Sequence, residues 1–312
     1  MGPTTETTTE PVVDPATSAP ARTKPPAPPT TANQRRAQRG SAAGLLANLA
    51  LILYFAFSLL PVLFIVALSL KTNAEQTTTY LWFTPTLENY QTVLGLGDGG
   101  SSYVRFFFAS LATSTGAVLV SLLIGIPAAY AAARYRFKGS EDLMFTLLSF
   151  RFAPELVVII PLGVIYQQIG LYDTIFGMVW VLQLVTMPLV VWILRSFFQD
   201  LPAELEEAAL LDGYTRRQAF LKIVLPLVRP GIAAVCLLAF IFAWNNFIFP
   251  FTLTSGDAQT VTVSSLAFLG GNQVRFNLVA AGAVMAVLPP LVLALCIQRY
   301  LVRGLSFGAV KG

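Results

Sequence analysis

The chain has 312 residues and not one histidine. That excludes Ser-His-Asp and Cys-His nucleophilic chemistry and any histidine-ligated metal. Charge is scarce: Asp, Glu, Lys and Arg supply 12% of the residues, where a soluble domain carries about 25%. Only two cysteines occur, Cys236 and Cys296, both inside apolar runs, which suits packing better than a redox pair. None of the lysines follows a glycine, so there is no Gly-Lys-[Ser/Thr] loop to cradle phosphate, and the chain is not expected to hydrolyse ATP itself. Without histidine or clustered acids, a membrane-embedded enzyme is a poor reading. What is abundant is apolar surface. Hydrophobic residues reach 55% and the mean hydropathy is +0.67. A soluble fold of this size could not hide so much, so the apolar runs read as membrane spans.

The chain divides near residue 40. Residues 1–40 hold eight prolines and nine threonines and almost no large apolar side chain. Such a stretch cannot offset its ordering entropy and reads as a disordered tail; a glycosylated stalk or a ligand for proline-binding modules are alternatives. No apolar core follows the start directly, so no signal peptide is expected. Residues 41–312 read as one six-span domain, with spans at about 44–70, 106–133, 143–166, 174–195, 231–253 and 278–301. Runs near 20 apolar residues cross the bilayer as helices, because a helix satisfies its own backbone in lipid. The expected class is therefore an all-α polytopic membrane bundle.

The basic residues set its direction. With the N-terminus inside, the inner segments hold Arg22, Lys24, Arg35, Arg36 and Arg39; Arg134, Arg136 and Lys138; Arg195, Arg216, Arg217, Lys222 and Arg229; and Arg299, Arg303 and Lys311. The outer loops hold only Lys71, Arg105 and Arg275. The positive-inside rule then places both termini in the cytoplasm. A sequence pI of about 9.1 thus reflects topology, not nucleic-acid binding.

The longest inner loop, about 202–226, reads as a helix, a glycine break and a second helix. Pro202 suits a first helical turn, and Glu204, Glu206 and Glu207 favour a helix N-terminus. Ala208 and Ala209 are small enough for another surface to approach. Gly213 suits the left-handed position that ends a helix. Such a knob could dock into a partner's groove or lie as an amphipathic connector on the bilayer.

Glu207-Ala208-Ala209, three residues, Gly213, nine residues, Ile223, one residue, Leu225-Pro226 resembles the coupling loop of prokaryotic ABC importer permeases, with Asp212 also fitting. Other stretches resemble the six-span, maltose-type carbohydrate branch. They are Ala128-Ala129-Tyr130-Ala131 through Gly139; Ile160-Pro161-Leu162; Gly170 through Thr174; Trp244-Asn245 with Phe247; and Gln298-Arg299-Tyr300 through Gly312. The resemblance covers about 44–312 and implies a subunit of the prokaryotic plasma membrane. Its implied partners are a second homologous permease, two ATPase subunits binding ATP and Mg, and an extracellular or periplasmic solute-binding protein. The chain itself would hold no cofactor and no metal. The resemblance further implies that the 254–277 loop meets the binding protein and that 302–312 reaches the ATPases.

Polar residues within spans are the candidates for a substrate path. Arg151 and Glu155 lie four apart and so share one helical face, where they could line the path or pair with each other. Trp244, Asn245 and Asn246 could stack a sugar and bond its hydroxyls, or act as interhelical glue. Relatives of this type carry sugars, oligosaccharides, polyols and glycerol phosphodiesters. The alternative function is a secondary transporter driven by an ion gradient, for which Glu155 is the only intramembrane acid and the loop has no role.

Overall fold

The structure is a computed structural model. It describes residues 2, 31–80, 82–96, 103–135, 137–152, 155–270 and 274–308, with backbone alone for 31–43 and 299–308. Most of the Pro/Thr-rich stretch, Arg136, Pro154 and the last four residues lie outside the described residues. Among the described residues every regular element is helical.

The chain divides into two units, Met1–Leu59 and Leu60–Gly312. The first contains the start of α1 (Thr31–Ser69). The tail boundary expected at residue 40 therefore falls inside a helix. Residues 31–40 contain no proline and are rich in Ala, Gln and Arg, good helix formers that let the apolar helix extend backwards. From Gly44 to Leu59 the described side chains are all exposed.

The second unit holds the end of α1 and the other helices. α2 (Glu88–Val93) closes the outer loop that follows α1. Lys71 in that loop is fully buried; its Nζ donates to the carbonyls of Thr78 at 2.7 Å and Tyr80 at 2.8 Å. Asn89 donates to the carbonyls of Ser69 and Lys71, each at 2.8 Å, and accepts from Asn277 at 2.7 Å.

Three helices are long and apolar enough to cross a membrane unbroken: Gly44–Ser69 of α1, α3 (Tyr103–Arg134) and Phe276–Gln298, part of the last helix. These match three expected spans. The other three differ, because each is a bent pair. The expected third span is α4 (Ser140–Phe152) and α5 (Glu155–Gln168), bent by 93°. The fourth is α6 (Ile175–Val181) and α7 (Gln183–Gln199), bent by 45° at Leu182.

Next come the loop helices α8 (Glu204–Leu211) and α9 (Arg216–Ala219), a π-helical stretch Phe220–Val224, and α10 (Leu225–Leu227). The run from Arg216 to Leu227 meets α11 (Arg229–Trp244) at 70°. The expected fifth span does not continue to residue 253. α11 stops at Trp244, and a separate α12 (Ile248–Leu253) begins after a break. Asn246 stabilises that break, its Oδ1 accepting from the Phe249 N–H at 3.2 Å. α13 (Val261–Ser264) and α14 (Phe276–Gly308) complete the unit.

The core forms where α3 crosses α7, with Val118 and Ala129 against Val190, Val191, Leu194 and Phe198. A Cβ at Gly125 would stand 2.7 Å from Val190 Cγ1, so this close crossing requires glycine. A buried polar seam ties the same helices. Ser121 Oγ lies 2.6 Å from both Thr186 Oγ1 and Gln183 Oε1, and Gln183 Nε2 donates to the carbonyls of Ala117 and Val179.

Candidate functional site

The inner loop is a knob fixed at its base and exposed at its tip. Gly213 between α8 and α9 has φ +89°, the left-handed conformation expected from its position. A Cβ there would meet nothing within 4 Å, so glycine answers the backbone and not a clash. α9 starts with a capping box: Gln218 N–H donates to Thr215 Oγ1 at 3.3 Å, and Thr215 N–H donates to Gln218 Oε1 at 2.9 Å.

The base is held through Glu206. Its Oε1 accepts from Arg134 Nε at 2.6 Å and its Oε2 from the Tyr130 hydroxyl at 2.6 Å. Arg134 also donates to the Leu201 carbonyl at 3.0 Å. The Arg134 and Glu206 side chains are only 15% and 16% exposed, so little water competes with this pair. The Tyr130 ring packs on Phe220 at 4.6 Å and Phe198 at 5.5 Å between centroids. One tyrosine thus joins α3, α7 and the π-helical stretch.

Of the sequence-predicted loop residues, Glu207, Ala208, Asp212 and Gly213 are exposed, while Ile223, Leu225 and Pro226 are half-buried. Ala209 is a correction: it is buried, so the surface its small side chain admits is this chain's own. Leu211 was not singled out, yet it is 89% exposed at the tip. Tyr130, Arg134 and Glu206 were also missed as a group. The available signal was the four-residue spacing of Tyr130 and Arg134, which puts both on one helical face.

A cavity of about 570 Å³ opens at the depth of the spans. Arg151, Glu155, Asn245 and Asn246 line it together with phenylalanines and aliphatic residues. It lies where three helix breaks meet, between α4 and α5, after Leu182, and between α11 and α12. Arg151 and Glu155 do not form an ion pair among the described residues. The bend between α4 and α5 removes the shared face that a continuous helix would give them. Arg151 instead donates to the Val185 carbonyl at 3.0 Å and lies 4.2 Å from the Phe242 ring centroid. Glu155 accepts from Asn246 Nδ2 at 3.2 Å.

Trp244 is not part of this lining. It is 3% exposed, donates its only N–H to the Ala286 carbonyl at 3.0 Å, and packs on Phe240 and Phe107. With its face and its donor both occupied, it acts in packing and not in stacking a solute.

On the outer side, Asp173 fastens the 254–258 segment. Its carboxylate accepts from the N–H groups of Ser255, Gly256, Asp257 and Ala258 at 3.1–3.2 Å. Asp173 itself adopts φ +54° and donates its N–H to the Leu253 carbonyl at 2.9 Å. Burial pushes its carboxyl pKa up, but the four donors together outweigh this and hold it below the usual value. Asp257 in turn pairs with Arg105.

Comparison with known proteins bears on all three regions. The family model described as binding-protein-dependent transport system inner membrane component matches residues 121–307, which include the loop and the cavity. The chain is 36% identical over 260 residues to the trehalose transport system permease protein SugB of Mycobacterium tuberculosis, covering 82% of this chain and 93% of that protein. It is 32% identical over 258 residues to the melibiose/raffinose/stachyose import permease protein MelC of Bacillus subtilis, covering 81% and 91%. Among solved structures it is similar in fold to a chain of a bacterial ABC transporter involved in the import of the acidic polysaccharide alginate. The TM-score is 0.66 at 22% identity, covering 83% of this chain and 96% of the other.

Proposed function

Because the chain belongs to the family of binding-protein-dependent transport system inner membrane components, we propose that it is the non-catalytic permease subunit of an ATP-driven sugar importer. It forms half of a translocation pore beside a second, homologous permease. Two separate ATPase subunits bind ATP and Mg and supply the energy, and an extracellular or periplasmic solute-binding protein delivers the substrate. Relatives named for trehalose and for melibiose, raffinose and stachyose support the carbohydrate class.

The observation that carries the mechanism is the inner knob. Its tip, with Glu207, Asp212 and Leu211, is free to dock, while its base is locked to α3 through Glu206. A rigid lever of this kind passes movement from a docked ATPase to the spans without a flexible joint. The 254–258 segment held by Asp173 is the surface for the binding protein.

The test is purification of the tagged chain in detergent. An ATPase and a second permease should co-purify, and proteoliposomes of the complex should take up sugar only with ATP inside. Uptake driven by an ion gradient without ATP would reject the reading.

A further inference from the structure

The cavity at the helix breaks is explained neither by the knob nor by membership of the family. Four polar side chains reach it from two separate stretches of chain, and a third, Leu184–Val185, adds apolar lining. At the depth of the spans, broken backbone and charged groups are tolerated only in protein interior or beside a water-filled space. Both occur here together.

The arrangement differs from that of a structural pair. Guanidinium and carboxylate are each engaged elsewhere, Arg151 by the Val185 carbonyl and Glu155 by Asn246. Each is left with unused capacity. Among the described residues one nitrogen of Arg151 donates, one oxygen of Glu155 accepts, and the Asn245 Oδ1 accepts nothing while its Nδ2 donates to Ile241. Phe150, 54% exposed, adds an open aromatic face, while Phe242 carries the Arg151 guanidinium on its ring. Planar hydrogen-bonding groups beside aromatic rings match the hydroxyl edges and C–H faces of a sugar. The two charges balance, so an anionic solute would meet Glu155 and a cationic one Arg151.

We propose that this subunit carries its own subsite for a neutral polyhydroxylated solute, formed by Arg151, Glu155 and Asn245 at the meeting point of three helix breaks. The inference rests on the importer reading and adds that this half of the pore selects what passes.

The test uses the complete complex in proteoliposomes with saturating binding protein and labelled trehalose, maltose and melibiose as probes. The wild type should carry at least one. If it carries none, the carbohydrate reading fails and this inference falls with it. On the carried probe, Asn245→Ala and Glu155→Gln should each cut uptake about tenfold, the size of one lost hydrogen bond to a charged or buried group. Glu155→Gln should also reduce the preference for the carried probe over its uronic-acid analogue, a change that a purely structural carboxylate would not produce. If Glu155→Gln does not assemble, Asn245→Ala decides, because its exposed side chain bonds only within its own helix end. Unchanged uptake and preference in the assembled variants, with the wild type active, would overturn the subsite and leave the importer reading standing.

Discussion

Two carboxylates fasten two loops on opposite sides of the spans, and they do so by different chemistry. Glu206 on the inner side is held by two side chains, Tyr130 and Arg134, both from α3. Asp173 on the outer side is held by four consecutive backbone N–H groups. The inner bond depends on three residue identities and joins distant elements. The outer bond depends on one residue identity and on the shape of the segment it grips. An inner loop fixed this way behaves as a lever attached to a helix. The outer segment is shaped locally, and the exposed Ser255 and Asp257 can change to any residue except proline without losing their donors.

The largest expected effect lies on the inner side. Glu206→Ala leaves a guanidinium and a hydroxyl without their shared acceptor in a nearly dry site. Breaking a buried pair from one side costs about 3–5 kcal/mol, and this slightly exposed pair should fall near the lower end. Thermal unfolding of the purified complex should register the loss. Adding Arg134→Ala should recover part of it, since no unpaired charge remains. Additive losses in the double variant would mean that the pair is not a unit.

Gly213→Val should come next. A β-branched residue held at φ +89° costs about 1–2 kcal/mol and turns α9 away from its place. Uptake and solute-stimulated ATP hydrolysis should fall together, while the amides of 255–258 keep their hydrogen-exchange rates. Full uptake in this variant would sever the knob from coupling.

Leu211→Asp separates docking from folding. At 89% exposure its effect on stability should be within about 0.5 kcal/mol, yet the ATPase should no longer co-purify. Retained ATPase would move the docking surface away from the tip.

The smallest effect should be that of Asp173→Asn, confined to the outer side. Exchange of the 255–258 amides should speed up at neutral pH, with unfolding of the complex little changed. The pH dependence follows from the lowered pKa of Asp173. A carboxylate lowered on folding contributes fully above its ordinary value near 3.8 and loses that contribution as pH falls through the folded value. Protection of these amides should therefore be flat from neutral pH down to about 4 and decline only below it. A decline near pH 6 would identify a different group as the clasp.

The sequence made the two-sided arrangement legible only in part. Hydropathy located all six apolar stretches, because it sums composition over about twenty residues. It could not see that three of them bend, since a sum is blind to where hydrogen bonding is interrupted. Proline marked the breaks unevenly. Pro154 lies in the sequence between α4 and α5, and Pro230 stands at the start of α11, but Pro161 and Pro188 lie inside α5 and α7 and the bend at Leu182 has neither proline nor glycine at it. The break after Trp244 was written in Asn246, whose amide caps α12, but the Asn245-Asn246 pair in an apolar run also reads as interhelical glue. Gly213 was legible because its φ follows from its place at a helix end. Arg151 and Glu155 were correctly placed in one region and wrongly joined, because four-residue spacing holds only on an unbroken helix. Asp173 gave no signal as a clasp, because its partners are backbone groups that any sequence supplies.

The π-helical stretch Phe220–Val224 has a consequence for length variation. A π turn accommodates one residue more than the α turn it replaces. Deleting a single residue there, for example the exposed Leu221, should tighten the turn to α pitch and leave Ala219 and Val228 on their present faces. The same deletion within α8 would rotate everything beyond it by about 100° and carry Ala209 out of its buried position. The nine positions between Gly213 and Ile223 thus contain one residue of slack, and a one-residue deletion in this loop should be tolerated at that turn and nowhere else along α8 and α9.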